Sequence, residues 1–98
     1  MRAVKLTPKA EDDLEAIWHY GWQHFGEGQA DSYIDHLSAV FQLLGDHHIG
    51  TRCPELGEGI YALPSERHVI YFLQTEAVVI VIRVLSQHQD AGRHLHWR

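Results

Sequence analysis

The sequence predicts an α+β domain of order β-αα-βββ, with an antiparallel helical hairpin packed on one face of a small antiparallel sheet. Three observations carry this. Residues 77–85 are the most apolar run of the chain and almost wholly β-branched, which favours a strand over a helix. Earlier, two apolar stripes of helical period follow one another with only Gly26-Glu27-Gly28 between them, so two helices must turn back on each other. Finally, short apolar segments separated by tight turns read as a meander.

Taken in order, residues 2–6 alternate weakly through Ala3, Val4 and Leu6 and read as a first strand. Thr7-Pro8 then starts a helix, with a hydroxyl at the N-cap and proline at the first helical position, where its missing N–H costs nothing. Glu11, Asp12 and Asp13 follow in the first turns, where the helix dipole favours acids. Ala10, Leu14, Ile17, Trp18, Gly21 and Phe25 form one stripe, and Gly26 supplies the stop. A second stripe runs through Ala30, Tyr33, Ile34, Leu37, Phe41 and Leu44, and Gly45 is expected to end it. Residues 46–59, with three glycines and a proline, are expected to be mostly loop. Strands at 60–63, 67–73 and 77–85 then alternate with turns at 64–66 and 74–76. The last strand is apolar on both faces up to Ile82 and is expected to be central and covered on both sides, or nearly so. The tail beyond Asp90 is polar.

The chain has 98 residues, room for a single domain spanning 1–98. At 45% hydrophobic and 21% charged, its composition is that of a soluble globular protein. No stretch approaches the roughly 20 apolar residues of a membrane span, and the first residues lack the apolar core of a signal peptide. A single cysteine, Cys53, leaves no disulfide framework. A cytoplasmic location is the expectation. The net charge of −5 arises in the first half, where residues 1–46 hold eight acids against three bases. The second half is balanced, so no dense basic face is available for nucleic acid.

The nine histidines raise the question of metal. His47-His48 and the pair His94 and His96 lack any accompanying cysteine pair or His-Glu-x-x-His pattern, so surface histidines without a metal role are the preferred reading. Cys53 has no helix N-terminus to activate it, and Ser65 and Ser86 have no nucleophile-elbow context, so all three are read as structural. What remains is the cluster Arg67, His68, Arg83, His88 and Arg93. If Arg67 and Arg83 lie on adjacent strands near one end, they and a histidine have the means to stabilise a phosphoryl transfer. The plainer alternative is that Arg83 pairs with a buried acid such as Asp13 or Glu66 and that the histidines are solvated; this, or a purely binding role, is preferred over catalysis. Trp18 and Trp22, four residues apart, put two large aromatics on one helix face. Core packing is the default for them, with an apolar groove open to a partner peptide as the alternative.

The spacing also carries a family resemblance over nearly the whole chain. Leu6-Thr7-x-x-Ala10-x-x-Asp13-Leu14-x-x-Ile17-x-x-Tyr20 is followed by Phe25-Gly26-x-x-Gln29-Ala30-x-x-Tyr33-x-x-x-Leu37 and Gly50-x-Arg52. Then come Gly59, Ser65-Glu66-Arg67-His68-Val69-Ile70-Tyr71, Ile82-Arg83-Val84-Leu85, Asp90 and Arg93-His94-Leu95. This pattern resembles the ParE toxins of the RelE/ParE superfamily. The resemblance implies the same β-αα-βββ fold and a non-enzymatic toxin of a type II toxin–antitoxin pair that acts on DNA gyrase. It implies a ParD-like ribbon-helix-helix antitoxin as partner in a hetero-oligomer; no cofactor, metal, direct nucleic-acid contact or membrane is expected, on the composition, charge and motifs read above. Arg67, Arg83, His88 and Arg93, with the C-terminal tail, would then meet the target. Trp18, Trp22 and Tyr33 would line the helical groove that takes the antitoxin tail. The family usually has a histidine directly after Arg-Val-Leu; here Ser86 stands there, and His88 would lie on the same face about 7 Å further along an extended strand. The alternatives are a RelE-like, ribosome-dependent endoribonuclease using the same cluster, or an antitoxin-binding domain without toxicity.

Overall fold

The computed structural model describes residues 1–95. Of the tail expected at the target, His96, Trp97 and Arg98 lie outside the described residues. The described chain runs β1 (Ala3–Leu6), α1 (Pro8–Phe25), α2 (Glu27–Asp46), β2 (Thr51–Arg52), β3 (Ile60–Ser65), β4 (His68–Gln74), β5 (Val78–Ser86) and α3 (Ala91–His94). The expected β-αα-βββ order is present, with the short β2 and α3 in addition.

Thr7 caps α1 through two bonds from one hydroxyl. Its Oγ1 accepts the Ala10 N–H at 3.1 Å and donates to the Ile82 carbonyl at 2.7 Å, so the same side chain starts the helix and ties it to β5. Gly26 ends α1 and immediately precedes α2, with φ at 91°. Its N–H donates to the Trp22 carbonyl and its carbonyl accepts from the Ala30 N–H, so one residue closes the first helix and opens the second. That left-handed φ is what glycine supplies at little steric cost.

The sheet order is β1-β5-β4-β3-β2. It is antiparallel except at β1, which pairs parallel with β5 from Ala3 opposite Val78 to Leu6 opposite Val81. β5 is therefore central, as its composition predicts. Val79, Val81 and Val84 face the helical hairpin and pack with Leu37, Phe41, Leu44, Ile70 and Phe72. A register shift opposite Tyr71/Phe72 leaves Ile82 unpaired between Val81 and Arg83. The hairpin covers only one face, and Val78 and Ile80 on the other are half-buried, so coverage of β5 is less even than expected.

Gly45 does not end α2. The helix continues to Asp46, and a Cβ at position 45 would stand 2.9 Å from the Arg2 carbonyl oxygen and 3.1 Å from Val4 Cγ2. The glycine is there because β1 crosses the helix at that point. The true terminus is held by Arg2, whose Nη2 donates to the Leu44 and His47 carbonyls and whose Nη1 reaches Thr75. A guanidinium in the last turn satisfies carbonyls that the helix leaves free. The segment expected as loop contains β2, in which Thr51 and Arg52 pair with Ala62 and Tyr61.

Candidate functional site

The tip of the helical hairpin and the near end of the sheet enclose an open groove of about 670 Å³. Its walls come from Ala16, Ile17, Tyr20, Gly21 and Phe25 on α1, and Gln29, Ala30, Ser32, Tyr33 and His36 on α2. Glu66 and Arg67 of the β3–β4 turn, His68, Val84, Ser86 and the turn 87–89 close it from the sheet side. Tyr20 and Phe25 are 56% and 48% exposed, so the groove offers two aromatic rings that are each about half open to solvent.

A polar network floors this groove. Tyr33 Oη lies 2.6 Å from His68 Nδ1 and 3.4 Å from the Ser65 carbonyl. The hydroxyl has one proton, and the shorter distance directs it to His68, which fixes the neutral ring with its own proton on Nε2. Burial holds the His68 pKa below its ordinary value, the Arg67 guanidinium adds to this, and Asp13 partly opposes it. Burial likewise raises the Tyr33 hydroxyl. Beside this pair, His36 Nε2 is 3.2 Å from Ser65 Oγ. The Arg67 guanidinium sits over the Phe25 ring at 5.2 Å and the Tyr33 ring at 5.8 Å, where the ring faces attract a cation and hold it without a carboxylate.

The residues singled out from sequence divide between this groove and elsewhere. Arg67, His88 and Tyr33 line it. Arg67 is not on a strand, as expected, but in the turn before β4, because Glu66 adopts φ 56° and reverses the chain one residue late. His88 is also off the strand: β5 ends at Ser86, so the spacing argument based on an extended chain does not hold there.

Arg83 does not line the groove. Its Nε and Nη2 donate to the two Asp13 oxygens at 2.7 and 2.8 Å, and its Nη1 donates to the His94 carbonyl at 2.7 Å. Asp13 Oδ2 also accepts the Val84 N–H, so one carboxylate serves as a partner for the edge of β5 beyond the end of β1. The pairing with Asp13 that the sequence offered as the plainer alternative is the arrangement found. Arg93 is exposed on α3, away from the groove walls.

Trp18 and Trp22 stand apart from Tyr33, on a side of α1 that does not face the groove. Trp18 donates its Nε1–H to Asp31 of α2 at 2.8 Å, and Trp22 stacks on it at 6.5 Å while remaining 49% exposed. Neither is a core residue. Phe25, read as part of the buried stripe, is instead half exposed at the groove, with the Arg67 guanidinium over its ring. His36 and Ser65 were not selected from sequence. The available signal was the spacing of Tyr33 and His36, one helical turn apart on one face. Among the described residues, no three histidine, cysteine, aspartate or glutamate side chains are placed to hold a metal ion, and no helix is long and apolar enough to cross a membrane.

Residues 4–91 match the family described as the ParE toxin of type II toxin-antitoxin systems, parDE. Toxin ParE1 of Mycobacterium tuberculosis is 33% identical over 92 residues, covering 92% of this chain and 94% of that protein. Toxin ParE1 of Caulobacter vibrioides is 32% identical over 96 residues, covering 97% and 99%. Among solved structures, one described as the chromosomal ParDE TA system from P. aeruginosa superposes with a TM-score of 0.76 at 20% identity, over 88% of this chain and 96% of that one.

Proposed function

Because this chain belongs to the ParE toxins of type II toxin–antitoxin systems, we propose that it arrests growth by binding DNA gyrase. We further propose that a ParD-like antitoxin, seated in the groove at the hairpin tip, neutralises it in the cytoplasm. The observation that carries the antitoxin seat is the groove itself: two half-exposed aromatic rings, a half-buried tyrosine and an arginine held over ring faces, arranged around an unfilled concavity. Apolar pockets with a few fixed polar groups are how protein segments are recognised. That the structurally similar protein is described as part of a ParDE system supports an antitoxin as the occupant.

A binding toxin is favoured over a nuclease by what surrounds Arg83. A guanidinium that stabilises phosphoryl transfer must face the substrate, and here three of the five Arg83 N–H donors are taken by Asp13 and the His94 carbonyl. Arg67, His88 and Arg93 remain the side chains we assign to the target, with Arg83 holding the C-terminal segment that bears Arg93. The test is purified toxin in a gyrase supercoiling and cleavage assay, with a coupled translation reaction beside it. Inhibited supercoiling or linear DNA with translation spared is the expected result. Cleaved mRNA with gyrase unaffected would overturn the reading in favour of a RelE-like nuclease.

A further inference from the structure

The charged and titratable groups around His68 come from every element that packs on the groove. Asp13 lies on α1, His36 and Tyr33 on α2, Glu66 and Arg67 in the β3–β4 turn, and His88 beyond β5. Asp13 is already engaged by Arg83. Glu66 is then the remaining carboxylate of the groove walls, opposite Arg67 and three histidines. Within a chain of net charge −5, the groove walls thus gather a guanidinium and three imidazole rings around one carboxylate that Arg83 does not engage.

The Tyr33 hydroxyl lets His68 take a proton without any heavy atom moving. With the ring neutral, Oη donates to Nδ1 across 2.6 Å. When a proton from solvent adds to Nδ1, that N–H donates back to Oη, and the hydroxyl proton swings to the Ser65 carbonyl at 3.4 Å. Both states keep the Tyr33–His68 contact, and the difference between them is one unit of charge beside Arg67. In the open groove, partial burial and Arg67 disfavour the charged ring. A carboxylate brought within a few ångströms reverses that preference.

We infer that the groove is a proton-coupled binding site: a carboxylate-bearing segment of the partner seats against Arg67 and His68, and His68 takes up a proton as it does so. This rests on the reading of the groove as the antitoxin seat and adds its chemistry and its regulation. Affinity then rises as pH falls, by at most about tenfold per pH unit for a single coupled proton.

The experiment is calorimetric titration of the toxin with a purified ParD-like antitoxin, at about pH 6 and about pH 7.5, in two buffers of different ionisation heat. Net proton uptake, tighter binding at the lower pH, and loss of both in His68→Gln are expected. Glutamine retains an acceptor for Tyr33 and cannot titrate. A ring-nitrogen NMR titration of His68 in the wild-type complex supplies the same answer should that variant fold poorly. Binding with no proton uptake, or with the same uptake in His68→Gln, would overturn the inference and leave the antitoxin seat standing. Undiminished binding by Tyr33→Ala and Phe25→Ala would overturn the seat itself.

Discussion

Asp13 and Arg83 are 70 residues apart and form a two-point ion pair in which both side chains are about 15% exposed. The same carboxylate accepts the Val84 N–H, so removing it strands a guanidinium and a backbone donor together. Asp13→Ala is expected to cost about 2 kcal/mol, between the value of a surface pair and that of a fully buried one. Urea denaturation with an unchanged slope and a lowered midpoint checks this. Arg83→Ala should lose a similar amount, so any loss of toxicity in that variant has to be measured against Asp13→Ala, which perturbs the same bridge from the other side.

Gly26→Ala tests the joint between the helices. A Cβ there meets nothing within 4 Å, so the cost is that of the backbone at φ 91° and ψ 167° alone, a region essentially confined to glycine, on the order of 1–3 kcal/mol. A thermal melt should show the loss without any change in antitoxin contacts. A larger loss would mean that the joint also sets the angle of the hairpin.

The pH dependence of stability has a definite sign. His68 in the folded chain has its pKa below the unfolded value of about 6.5, so the unfolded chain binds more protons as pH falls through that value. Stability of the free toxin should therefore fall from about pH 7 downward, until the folded pKa is passed. Denaturation midpoints across this range should show a shallower slope in His68→Gln.

Tyr33→Ala and Phe25→Ala should each weaken antitoxin binding, on the order of tenfold or more where the ring is a central anchor. Trp22→Ala, on a side of α1 away from the groove, should change it little. Titration calorimetry ranks the three. A large loss in Trp22→Ala with none in Tyr33→Ala would move the antitoxin to the indole pair.

Arg67→Ala and Arg93→Ala should reduce growth arrest on expression of the toxin alone while leaving its circular dichroism unchanged. Arg67 rests on the half-exposed Phe25 ring and the half-buried Tyr33 ring, and Arg93 on a short helix at the surface, so neither anchors the core. Undiminished arrest in the double variant would remove both from the target surface.

The elements legible in the sequence were those written locally. Thr7-Pro8, the two apolar stripes, Gly26 and the β-branched run each specify their own conformation within a few residues. The parallel pairing of β1 with β5 is not local, and four weakly alternating residues do not encode their neighbour. Gly45 misled because a stop and a close crossing call for the same residue, and only the approach of Arg2 distinguishes them. Arg83 was read with its partner among the alternatives, since a guanidinium in an apolar strand demands an acid. The groove was half legible. Tyr33, Arg67 and His88 were selected, whereas the link from Tyr33 to His68 spans 35 residues and two elements, with no periodicity to announce it.

The parallel seat of β1 beside β5 sets an order of events during synthesis. Ala3 waits for Val78 and Leu6 for Val81, so the place between β1 and β4 stays vacant until β5, later in the chain than the other four strands, has emerged. The hairpin of α1 and α2 has its own local contacts and precedes that strand, yet the surface on which Leu37, Phe41 and Leu44 come to rest includes Val79 and Val81. Folding that depends on such distant partners is slow. The surface that β5 organises, from the Asp13–Arg83 pair to the end of the groove, is therefore completed only when β5 has been made.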